Sequence, residues 1–221
     1  MVRRADRARA TRRRIIEEAG RLFEADGYAA TTMERVAGDA GVAVQTLYYT
    51  FGTKGQLLCE TMEFAAAGTH DPVPVQQRAW MTEALGEQSA ARSLALAIEH
   101  GTDVYQRAAP LWPAVNAAAV TDPVVAEYWD GVAAGRRAGM QRLVSHLEAL
   151  VGLRGGLDVE TATDIMFVVN SHATFQELVI RSGWELPRFK TWLYTSLAQQ
   201  LIPEDDRDPT ATRGLSYGES V

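Results

Sequence analysis

The chain has 221 residues, 47% of them hydrophobic, and a formal net charge of −6 from 22 basic and 28 acidic side chains. That length holds one compact unit or two small ones, and the hydrophobic content argues against wholesale disorder. No run of about 18 apolar residues is present, which excludes a transmembrane helix. The start, MVRRADRARATRRR, has no apolar stretch of the kind a secretory signal needs. The single Cys59 excludes a disulfide framework, a cysteine zinc finger and a CxxC redox pair. A cytoplasmic chain with no membrane partner is expected. The charge is uneven: Met1 to Ile16 carry seven arginines against Asp6, a local +6, which leaves −12 over the other 205 residues.

Helix formers are plentiful and no segment alternates with period two, so the reading is all-α. Residues 1–8 read as a flexible basic arm. A first helix follows from about Ala8 to Asp26, with Ile15, Ala19, Leu22 and Phe23 at helical spacing and Gly27 where a C-terminal cap belongs. Thr31 and Glu34 stand in capping-box relation at the start of a second helix, about 32–40, which Gly41 stops. A third helix runs over about 44–51 and ends at Gly52. Thr53 then caps a fourth, reaching about Gly68. The breaker-rich Thr69–Val75 segment divides a 9–69 domain from a 76–202 domain. Within the latter, helices are expected over 76–86, 89–109, 110–121, 123–150, 158–182 and 187–202. Residues 203–221 read as a disordered tail.

Two short helices joined by a glycine turn and preceded by a supporting helix form the helix-turn-helix plan, here about 32–51. Val36, Ala37, Ala40, Val42, Leu47 and Phe51 supply a buried seam. Gln45, Thr46, Tyr48, Tyr49 and Thr50 remain outside as an uncharged, hydrogen-bonding face suited to base edges and phosphates. The run Thr31–Ala37, then Ala40-Gly41-Val42, Thr46-Leu47-Tyr48-Tyr49, Phe51, Lys54 and Leu57-Leu58 resembles the TetR/AcrR family of bacterial transcriptional regulators over about residues 9–69. The resemblance implies an N-terminal three-helix DNA-binding head and a C-terminal helical ligand-binding and dimerisation domain. It implies that Val44, Gln45, Thr46, Tyr48 and Tyr49 face the major groove of a pseudo-palindromic double-stranded operator. Thr32 and Lys54 match phosphate-contacting positions. Two departures are Ala43, where a capping serine is common, and Thr50, where histidine is common. Arg12 and Arg13 then read as basic side chains lying against the DNA.

Beyond residue 75, periodicity is the main signal. Arg136 falls within the apolar stripe of the 123–150 helix, either snorkelling or meeting a carboxylate, or serving as a cation in a ligand pocket for an acidic effector. His172 and Gln176 share a face with Ile165 and Val169, as satisfied core residues or ligand contacts. Tyr105, Trp112, Trp129, Arg136, Met140, Phe167, His172 and Phe175 are the candidate lining of an effector pocket. The family resemblance implies that the last two helices form a homodimer interface, with Gln176, Ile180, Phe189, Leu193 and Leu197 as candidates; the alternative is that both helices finish a monomer core.

No HExxH, P-loop, GxGxxG after a strand or GxSxG occurs, so no enzyme, metal site or cofactor is expected. Cys59 sits on an apolar helix face and reads as packing. The expected function is a DNA-binding regulator, a repressor released by an unidentified small molecule. The alternative is a helix-turn-helix regulator without such an effector, controlled by protein contacts or abundance.

Overall fold

A computed structural model describes residues 2–68 and 79–212, and all regular structure among them is helical. The expected boundary at Thr69–Val75, the start of the 76–86 helix and the end of the 203–221 tail lie outside the described residues. The chain divides into two compact units, Met1–Val73 with Gln106–Ala133, and Pro74–Tyr105 with Ala134–Val221. The sequence reading assigns all of 76–202 to one domain. The structure instead groups α7 (Trp112–Ala119) and the first turns of α8 (Pro123–Val151) with the head.

In the first unit, α1 (Val2–Ala30) begins within the segment expected to be a flexible arm. Gly27, at φ 75°, interrupts it where the sequence places the helix end, because that left-handed conformation costs glycine no Cβ clash. Ile15, Ala19, Leu22 and Phe23 form its buried stripe. They pack with Leu57 and Leu58 of α4 (Lys54–Ala67) and with α7, where Trp112 and Val115 are buried.

The loop after Gly27 is tied down by polar contacts. Tyr28 donates its hydroxyl to Asp122 Oδ2 at 2.5 Å, and Lys54 Nζ donates to the Tyr28 carbonyl at 2.8 Å while lying 4.1 Å from that ring's centre. Asp122 also caps α8, its Oδ1 accepting from the Val124 amide at 3.0 Å. Burial, reinforced by the hydrogen bond to Asp122, raises the Tyr28 pKa and keeps the phenol a donor.

In the second unit, α5 (Ala79–Gly86), α6 (Ala90–Ala108, through Tyr105), the rest of α8, α9 (Val159–Val169) and α11 (Leu186–Leu201) enclose a core. Leu94, Ile98, Leu143, Leu147, Phe175 and Phe189 fill it. Lys190 of α11 donates to Glu99 at 2.6 Å and Asp103 at 2.9 Å on α6. Burial opposes its charge, yet the two hydrogen-bonded carboxylates carry its pKa above the usual value. Such a pair resists breaking, since removing one member strands the other away from water.

The segment expected as one helix over 158–182 is broken. Asn170 leaves the helical region, at ψ 64°, and Ser171 caps a new turn, α10 (His172–Phe175), by accepting from the Thr174 amide at 3.1 Å. Asparagine and serine favour such local bonds over a helix interior. The chain then continues π-helically through Gln176–Arg181. The described part of the expected disordered tail is also structured. Tyr194 donates to the Asp208 carbonyl at 2.7 Å, and Ile202 and Ala211 are buried.

Gly55 lies under Asp122: a Cβ there would stand 2.5 Å from Oδ2, and that carboxylate is held by Tyr28 and Val124. Gly55→Ala is expected to destabilise the protein by about 1–3 kcal/mol, the usual cost of overpacking. Denaturant unfolding at an unchanged m-value checks this; an unchanged midpoint refutes the crowding.

Candidate functional site

The helix-turn-helix is made by α2 (Met33–Asp39) and α3 (Val44–Phe51). Thr32, and not Thr31, caps α2, its Oγ1 accepting from the Arg35 amide at 3.2 Å. The residue three positions on is therefore Arg35, which cannot complete the expected capping box. Thr31 is buried and donates to the Leu22 and Gly27 carbonyls, closing the end of α1. At the turn, Val42 N–H meets the Ala37 carbonyl and Gly41 N–H the Gly38 carbonyl. This is the paired bonding of a Schellman motif. Gly41 has open space around its Cβ position, so its φ of 63°, rather than close approach, requires glycine.

The seam forms as expected, with Val36, Ala37, Ala40, Leu47 and Phe51 buried and Val42 partly so. Leu47 and Phe51 anchor one side of α3. On the other, Gln45 and Thr46 are exposed, Tyr48 is 47% exposed and Tyr49 is 93% exposed; Val44 is half-buried. Ala43 precedes α3 without a side-chain cap. Thr50 turns its hydroxyl back to the Thr46 carbonyl at 2.7 Å and is half-buried.

The cations are placed differently from expectation. Lys54 is half-buried and committed to Tyr28, as described above, while a Thr53–Gln56 capping box starts α4 beneath it. Arg12 pairs with Glu60 of α4 and stacks its guanidinium 4.8 Å from the Phe51 ring centre. It therefore clamps α1 to α4 and the end of α3. Arg13 pairs with Glu17 one turn on, at 2.6 Å. Neither is an unpaired side chain on an arm. An open groove of about 560 Å³ borders α3, lined by Thr50, Phe51, Cys59, Glu60, Glu127 and Tyr128 among others. Burial first, then the Asp122, Glu63 and Glu60 carboxylates, push the Cys59 thiol up to about 12, so it lacks the thiolate that reactive cysteines need.

In the second unit, six of the eight expected pocket residues come together. Tyr105 lies 4.9 Å from the His172 ring and 5.9 Å from Phe175. Arg136 stacks 3.7 Å over Phe167, and its Nη1 donates to the Asn170 carbonyl at 2.8 Å, the Phe167 carbonyl at 3.1 Å and, weakly, Met140 Sδ at 4.0 Å. Trp112 and Trp129 fall within the first unit. Among the described residues Arg136 meets backbone carbonyls and not a carboxylate. Its charge sits at the C-terminal end of α9, where free carbonyls carry partial negative charge.

The sequence reading missed Asn170, whose carbonyl receives both Arg136 and the Tyr105 hydroxyl at 2.9 Å. The Asn170-Ser171 pair inside an apolar stretch is the signal that could have found it. Phe189, Leu193 and Leu197, expected at a dimer interface, are 0% exposed within one chain. Their stripe faces the chain's own core. Of that set only Gln176, half-buried, and Ile180, 58% exposed, reach the surface.

Burial, with Arg136 beside it, lowers His172 from 6.5 to about 4. A folded pKa below the unfolded value means stability is present above pH 6.5 and is lost as pH falls towards 4. The melting temperature is expected to drop across that window, and His172→Phe, which keeps a ring beside Tyr105, is expected to flatten the slope. An unchanged slope in the variant refutes the assignment.

Residues 15–61 match the family model described as bacterial regulatory proteins, tetR family. Among curated proteins none matches the sequence. Solved structures share the fold at low identity. The SmeT–triclosan complex superposes with a TM-score of 0.72 at 18% identity, covering 92% of this chain and 97% of that one. A transcriptional regulator from Saccharomonospora viridis in complex with choline gives 0.68 at 16%, covering 87% and 97%. The regulator FadR from Bacillus subtilis, in complex with stearoyl-CoA, gives 0.64 at 17%, covering 83% and 96%. The resemblance read from the sequence is thus borne out: residues 15–61 carry a tetR-family N-terminal domain, in a chain with the all-helical fold of these regulators.

Proposed function

We propose that this protein is a homodimeric transcriptional repressor that reads a pseudo-palindromic operator through α3 and releases it when a small molecule binds the second unit. The observation that carries the DNA reading is the outer face of α3. Burying a tyrosine ring normally yields a large hydrophobic gain, yet Tyr49 is 93% exposed and Tyr48 nearly half, beside Gln45 and Thr46. Leu47 and Phe51 hold this face outward. It offers amide and hydroxyl groups to base edges and methyl groups, and phenols to phosphates.

Thr32 supports this role, because its oxygen accepts within α2 while its hydroxyl hydrogen is left for a phosphate. Lys54 acts here chiefly by fixing the α1–α2 loop, with further ammonium donors available to the backbone of the duplex. Arg12 and Arg13 serve by positioning, through Glu60 and Glu17.

A two-fold dimer presents two copies of α3 about one turn of DNA apart. Val168, 68% exposed, and Ile180 are apolar side chains on α9 and the π-helical segment that fit a partner copy. Structures of this fold have been solved with triclosan, choline and stearoyl-CoA, chemically unrelated molecules. In this chain we assign the effector site to the Tyr105–Arg136–His172–Phe175 cluster, where these residues lie together. Effector and operator then favour different states of one equilibrium, each weakening the other by the same factor.

The test uses a duplex selected from a random pool and fluorescence anisotropy. Tyr49→Ala is expected to lose operator preference while its melting temperature stays near wild type, since exposed substitutions cost within about 0.5 kcal/mol. Lys54→Met is expected to lower both DNA affinity and melting temperature, because it also removes the Tyr28 tie. Unaltered operator binding by Tyr49→Ala refutes the α3 assignment.

A further inference from the structure

Arg136 is only partly satisfied. Its Nη1 is taken up by the carbonyls of Phe167 and Asn170, with the Tyr105 hydroxyl at 3.5 Å. Its Nε is buried and has no hydrogen-bond partner. Among the described residues no acceptor meets Nη2 and no carboxylate pairs with this guanidinium. The Nε–H and Nη2–H bonds point the same way along one edge of the planar group. That edge is the fork that grips a carboxylate through two parallel hydrogen bonds. The orphaned amide oxygen Asn170 Oδ1 is also buried, on the residue whose carbonyl holds Nη1.

The neighbours do not neutralise this charge. His172 is kept neutral by its surroundings, and burial raises the Tyr105 pKa, so its phenol is neutral too. Asp164 is engaged with Arg137 at 2.6 Å, and Asp103 with Lys190 at 2.9 Å. Among the described residues the cluster therefore holds a guanidinium with no carboxylate paired to it, close to Phe167, Tyr105 and Phe175. Withdrawing an ion from water is costly unless a counter-charge and hydrogen bonds replace the solvent. An apolar molecule ending in a carboxylate supplies both at the unpaired edge.

We propose that the Nε/Nη2 edge of Arg136 is a carboxylate receptor, and that the molecule sensed by the second unit is a small monocarboxylic acid with an apolar body. This rests on reading the cluster as the effector site. The acid's oxygens accept from Nε and Nη2, its body lies against Phe167, Tyr105 and Phe175, and a donor next to its carboxylate pairs with Asn170 Oδ1.

The experiment measures binding to the full-length protein without DNA, by calorimetry and thermal shift. Phenylacetate, mandelate and hexanoate are compared with the neutral phenylacetamide, benzyl alcohol and hexanol. At least one acid is expected to bind and raise the melting temperature, with its neutral counterpart doing so less. Arg136→Lys keeps the charge but loses the fork and is expected to weaken binding about tenfold or more. Because Arg136 also caps α9, the wild-type protein supplies a second readout: a bound carboxylate cancels part of the Arg136 field, so the His172 ring titrates at higher pH by NMR. The proposal is overturned if none of the acids binds, if the neutral counterparts bind as tightly, or if Arg136→Lys binds unchanged with His172 unmoved. Tight neutral binding overturns the acid class while leaving an effector site in place. The bound acid is then titrated into the operator complex by fluorescence anisotropy; acid binding that fails to release operator DNA overturns the repressor reading and leaves the receptor standing.

Discussion

The carboxylate of Asp122 meets several demands at once, and the first unit is arranged around it. It accepts the Tyr28 hydroxyl, caps α8 through Val124 and lies against the bare backbone of Gly55. A charged acceptor strengthens the tyrosine bond to about 1.5–3 kcal/mol, roughly twice a neutral one. The loop that Tyr28 occupies joins α1 to α2, and Lys54 closes it from the other side. The helix-turn-helix is therefore fixed to its support by polar side chains as well as by the Leu22, Phe23 and Leu57 core. Such bonds are directional, so they set the position of α2 and α3 where apolar packing alone would tolerate small shifts.

A comparable constraint governs the second unit. Breaking the helix at Asn170 frees a carbonyl, and Arg136 and Tyr105 converge on it from α8 and α6. A freed carbonyl left unpaired away from water costs about 1–3 kcal/mol, so the break is stable only because these donors arrive. The same arrangement leaves the other edge of the guanidinium without an acceptor. Structural support and the proposed recognition chemistry thus fall on one side chain, so any change to it acts on both.

The charge pattern takes on a more specific meaning in this light. The arginine-rich start contrasts with a net charge of −12 over the rest. Yet Arg12, Arg13 and Arg21 are all paired with carboxylates of the first unit. Exposed pairs of this kind contribute little stability and are screened by salt. Their effect is to fix helix geometry within the first unit.

Much of the fold was legible in the sequence because helices are local. The 3.6-residue period, the cap Thr53, and the turn glycines Gly27 and Gly41 each act over one helical turn. The exposed polar and aromatic face of α3 followed from the same period, since placing Leu47 and Phe51 inside turns Gln45, Tyr48 and Tyr49 outward. What the sequence could not decide was where each side chain finds its partner. Lys54 reaches Tyr28, 26 positions away, and Arg12 reaches Glu60, 48 away. An apolar stripe likewise shows that a face is buried without showing by what, so Phe189, Leu193 and Leu197 turned out to serve the chain's own core. Local patterns specify the elements and their faces; only the packed chain, bringing distant residues within hydrogen-bonding range, decides which cations are spent on structure and which edge of Arg136 stays open.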